Sequence, residues 1–65
     1  MNRDRAREAI DKAADDAFAG LFNNLRTNEM AEAPELAVRQ FTIGVKKLRQ
    51  DIATAKAIID SEFPE

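Results

Sequence analysis

The chain has no cysteine, histidine, tyrosine or tryptophan, and only two glycines and two prolines. Each absence removes a class of function. Without cysteine there can be no disulfide framework, and without cysteine and histidine the common zinc sites go too. The usual general bases and strongest nucleophiles are missing with them, and Ser61 sits near a terminus with no base beside it. Two distant glycines build no phosphate-cradling loop. The longest apolar run, Ala17 to Phe22 with Gly20 inside it, falls far short of the ~20 residues that span a bilayer. The expectation is a protein with no enzymatic activity, no cofactor and no metal.

Charge of one sign is also lacking. Ten basic residues nearly balance twelve acidic ones, for a net charge of -2. Such a chain has no long-range attraction to nucleic acid or to an anionic membrane. The carboxylates of Asp11, Asp15 and Asp16, and of Glu29, Glu32 and Glu35, are spaced as solvated helix faces. The N-terminal stretch Met1–Arg5 begins basic, but acidic residues follow where a secretory leader needs an apolar core. A cytoplasmic location is the expectation.

What the chain does have is helical periodicity. Val38, Phe41, Val45, Leu48, Ile52, Ala55 and Ile59 fall at alternating three- and four-residue spacings, the seam of a helix that lies along another. Pro34 suits the first turn of this helix, because its missing amide would be unpaired there anyway. The helix is expected from about 34 to 62, with Pro64 as its stop. Upstream, Ala6, Ile10, Ala13, Ala14, Ala17, Phe18, Leu21, Phe22 and Leu25 recur with a broader amphipathic pattern. Asn2 suits the N-cap of that helix, expected over about 3 to 26. Asn23, Asn24, Thr27 and Asn28 compete for backbone hydrogen bonds, which places a turn at about 27 to 33.

Two helices and a short connection predict an all-α antiparallel hairpin occupying residues 1–65 as one domain. A turn near Met30 would set Asp15 level with Lys46, Asp11 with Arg49 and Asp4 with Lys56. The same alignment brings Phe18 near Phe41, Leu25 near Leu36, and Ile10 near Leu48 and Ile52. A domain this small buries only ~60% of its unfolded surface, so a single hairpin needs help. With disulfides and zinc excluded, that help is self-association or docking on a partner.

Both helices carry apolar residues that one seam does not use. Phe18 and Phe22 on the first helix, with Leu36, Ile43, Gly44 and Ile58 on the second, are the expected partner interface. Ala37 and Ala57 complete the outward stripe of the second helix. Helices apolar on two faces expect two neighbours, which predicts a homodimer forming a four-helix bundle. The function expected of it is that of a small protein–protein interaction module that binds, caps or inhibits a larger protein. The alternative is a nucleic-acid or ribonucleoprotein accessory that uses a basic stripe of Arg39, Lys46, Lys47, Arg49 and Lys56. Interleaved carboxylates and the lack of a stacking aromatic weigh against it.

One short likeness exists. Leu21-Phe22-Asn23-Asn24-Leu25-Arg26, with Leu48-Arg49-Gln50-Asp51-Ile52-Ala53, resembles the pattern in the helical-hairpin protein of the large ribosomal subunit. That family is strongly basic, as contact with rRNA requires, and its two segments lie closer together. The expected function does not rest on it.

Overall fold

The computed structural model describes residues 1–31 and 34–63, and they form two helices: α1, Arg3–Ala31, and α2, Pro34–Glu62. The helices lie side by side as a hairpin. Local chemistry sets both N-termini. Asn2 caps α1, its Oδ1 accepting from the Arg5 amide at 2.8 Å while its carbonyl accepts from Ala6 at 3.0 Å. Pro34 opens α2 and Glu35 sits in its first, electropositive turn. Pro64 lies outside the described residues. Among the described residues, no helix is long and apolar enough to cross a membrane.

The first helix does not end near Arg26. It continues through Thr27, Asn28, Glu29 and Met30 to Ala31. The Thr27 hydroxyl donates back to the Asn23 carbonyl at 3.0 Å, a bond that satisfies the hydroxyl without stabilising the helix. Asn24 and Asn28 line a cavity of about 110 Å³ with Leu21, Leu25, Ala37, Gln40 and Phe41, so packing against α2 holds that turn. Glu32 and Ala33, in the expected turn, lie outside the described residues.

A longer α1 moves the reversal of the chain and shifts the register. Lys56 Nζ meets Asp11 Oδ1 at 2.6 Å, in place of Asp4, and Asp11 takes Lys56 in place of Arg49. Arg7 Nη1 donates to both oxygens of Asp60 at 2.7 and 2.8 Å, a pairing the sequence spacing did not suggest. The expected Asp15–Lys46 bridge does not form among the described residues. The Phe18 and Phe41 rings do meet, edge to face, with centroids 6.0 Å apart. These bridges are half-exposed, so each contributes only ~0–1 kcal/mol and does little to hold the fold. Lys56→Ala should therefore lower the unfolding free energy by less than about 1 kcal/mol in a urea titration. A larger loss would make the bridge a principal support of the hairpin.

The seam is rotated from the strict heptad. Ala37, expected on the outward stripe, is buried at 2% exposure, whereas Val38, expected on the seam, is 50% exposed. Gly44 also faces inward: a Cβ there would come 2.7 Å from Leu21 Cδ2. Near the open end the expected residues Ile52, Ala55 and Ile59 do turn inward, half-buried. A straight helix drifts ~20° per heptad against a perfect seven-residue repeat, which accounts for the change along three repeats. Small residues at Ala37 and Gly44 let the helices close where the seam has drifted towards them. Gly20, by contrast, meets nothing within 4 Å, so it is a tolerated glycine rather than a close approach.

Candidate interaction surfaces

The hairpin measures 49 × 15 × 8 Å along its principal axes, and its radius of gyration is 15.0 Å. A compact chain of this length would have a radius near ~11 Å. Two rods side by side enclose almost nothing. Among the described residues, only Ala6, at 5% exposure, and Ala37 are buried, and no large side chain is. Phe18, Phe22, Leu36, Ile43 and Ile58 are all among the exposed large apolar residues, with Val38, Met1 and Met30.

These residues do not form one patch. Side chains seven apart stack on one line of a helix, each residue turning about 100° from the last. On α1, Phe18 follows Asp11 by seven and Phe22 follows by four more, so they lie on the flank that carries the Lys56–Asp11 bridge. Val38 and Val45 border that flank from α2. Ala13 and Ala17 lie on the opposite flank of α1. On α2, Gly44, Asp51 and Ile58 follow one another by sevens along that same opposite flank. Leu36 and Ile43 lie one further step round, on its outer edge.

The structure thus separates the expected interface residues. Phe18 and Phe22 form an aromatic flank near the turn half of the hairpin. Ile58, with Leu36 and Ile43 at its rim, belongs to the other side. Gly44 lies half-buried at the border of the seam and this flank, where an added Cβ would meet Leu21. Between the helices on this second side runs an open groove of about 270 Å³, lined by Ile10, Ala13, Ala17, Leu48, Ile52 and Ala55 with Asp51 at its edge. Sequence periodicity set these alanines on the broad apolar face of α1 without showing that they border an open groove. Its signal was their recurrence opposite Leu48 and Ile52.

The basic stripe is dispersed. Lys56 is held by Asp11, and Lys47 by Asp51 at 3.3 Å within α2. Arg39, Lys46 and Arg49 remain exposed on the outer face of α2, where Lys46 and Arg49 flank a shallow depression with Gln50 and Ala53. Among the described residues, no group of three or more carboxylates converges on a site for a cation. Comparison of the chain with protein-family models, with curated proteins and with solved structures gives no match.

Proposed function

We propose that this chain is a cytoplasmic, non-catalytic interaction module that self-associates into a four-helix bundle and binds, caps or inhibits a larger protein. The observation that carries this reading is the absence, among the described residues, of any large buried side chain in a hairpin so rich in apolar residues. Leu21, Leu25, Phe41, Leu48, Ile52 and Ile59 are only half-buried, so the hairpin realises part of the ~25 cal/mol per Å² that full removal from water would give. Both exposed flanks are helical faces of the kind that other helices cover. Phe18, Phe22, Leu36, Ile43 and Ile58 are the side chains assigned to these contacts. Protein is favoured over nucleic acid because Lys47 and Lys56 are already paired with carboxylates and the net charge is -2.

Sedimentation over a concentration series, read beside helicity by circular dichroism, tests the reading. The expected particle has twice the 7.3 kDa chain mass and loses helicity as it dissociates on dilution. A fully helical monomer at every concentration would overturn self-association. Detection must use peptide absorbance or refractive index, since the chain lacks tryptophan and tyrosine.

A further inference from the structure

We propose that the groove beside Ala13 and Ala17 is the seat of a second copy of this chain, with helix α1 of each hairpin lying against α2 of the other. This rests on the self-association reading above and assigns it a face, an orientation and a charge contact.

Area argues for a partner of this size. The chain exposes 5130 Å², whereas a compact monomer of its mass would expose ~4,200 Å². The excess, roughly 900 Å², is close to the ~800 Å² that each partner contributes to a standard interface. One flank-to-flank contact with another 49 Å rod is enough to remove it.

Polarity selects the flank. The Phe18 side is crossed at its open half by two ion pairs, Lys56–Asp11 and Arg7–Asp60, which a covering helix would have to desolvate. The groove side runs from Ile10 and Ala55 through Ala13, Ala17, Leu48 and Ile52 with Asp51 as its one charge. That carboxylate already has the Lys47 ammonium as neighbour, so it need not be left unpaired.

Charge selects the orientation. Leu21 with Gly44, Asp11 with Lys56 and Arg7 with Asp60 have numbers adding to between 65 and 67, and the Phe18 and Phe41 rings reach across this register. A two-fold axis running along the hairpins keeps these levels and places α1 of one copy antiparallel to α2 of the other. Asp16, one turn beyond Ala13 and exposed, then comes level with the Lys47–Asp51 pair of the second copy, which sets the Lys47 ammonium between two carboxylates. A two-fold axis set across the groove's middle would instead bring two Lys47–Asp51 pairs together with the Asp51 carboxylates facing each other. An ammonium shared by carboxylates of both chains favours the first arrangement.

The test is a pair of substitutions and a cross-link. Ala13 is exposed in the single hairpin, so Ala13→Glu leaves the hairpin's own contacts in place. It should raise the dimer dissociation constant by about 100-fold or more in sedimentation equilibrium, as a charge left unpaired in an interface does. Ala53→Glu, at an exposed position on the outer face of α2, should change it by less than about threefold. The reverse ranking would overturn the groove assignment and leave self-association standing. A parent chain that never dimerises would overturn both. Because the chain has no cysteine, Asp16→Cys and Lys47→Cys chains can be mixed in a glutathione buffer. The mixture should accumulate a disulfide-linked pair that neither chain forms alone. Linkage by either chain alone, equal to that of the mixture, would overturn the orientation.

Discussion

Leu48→Ala should leave the chain largely unfolded at concentrations where the parent is helical. Leu48 is half-buried, sits at the middle of α2 and lines the groove with Ile10 and Ile52. Removing a packed leucine side chain costs ~2–5 kcal/mol, according to how far its surroundings collapse. A chain of 65 residues has a total stability of roughly 3–10 kcal/mol, so the loss takes most of it. The size of the loss is informative as well. In a lone hairpin Leu48 is only partly withdrawn from water, and the change should fall near or below the lower figure. With the groove covered, its other side is packed too and the upper figure applies. Urea titrations of parent and variant at two protein concentrations separate these cases, since dimer stability rises with concentration. An unchanged titration would argue against the seam itself.

The fold class was legible because it depends on features that single residues carry. Asn2 announces an N-cap, Pro34 a first turn, and the spacing from Phe41 to Ile59 a helix with an inward line. The end of α1 was not legible from propensity. Thr27 and Asn28 are weak helix formers, and what holds their turn is packing beside Ala37. That is not visible until the second helix is in place. That extension then moved the register, so Asp11 found Lys56 and Arg7 found Asp60. Alternating charge along both helices fits more than one alignment, and apolar contacts decide among them.

The candidate surfaces were legible as residues and not as places. Phe18, Phe22, Leu36, Ile43 and Ile58 were identifiable because a two-helix seam has no room for them, and they are exposed. Grouping them needs the rotation of each helix, which seven-residue bookkeeping fixes only to within its drift. That drift put Ala37 and Gly44 inside and sent Phe18 and Ile58 to opposite flanks. It also exposed a groove of small residues that no single position advertises. What the hairpin leaves uncovered is a matter of apolar area and arrangement, which no single residue carries.

The rotation of the seam leads to the other large effect, a contrast between adjacent positions. Ala37→Asp should lower stability by about 3 kcal/mol or more near neutral pH, as an uncompensated buried charge does. Ala37 is 2% exposed, beside Leu21, Leu25 and Phe41, with the amides of Asn24, Asn28 and Gln40 the nearest polar groups around the cavity. No cation lines that site. The first turn of α2 favours a carboxylate by ~0.3–1 kcal/mol, which is too little to offset desolvation. Burial raises the carboxyl's folded-state pKa above its unfolded value of ~3.9, so the penalty is full above the folded pKa. It should shrink as pH falls towards the unfolded value, where both states hold the proton. Val38→Asp, one residue on and half-exposed, should cost under about 1 kcal/mol and show little of this pH dependence in the hairpin. Urea midpoints for both variants at neutral and mildly acidic pH would decide the matter. If Val38→Asp proved the more damaging, the strict heptad would describe the seam and the inward rotation of Ala37 would be wrong.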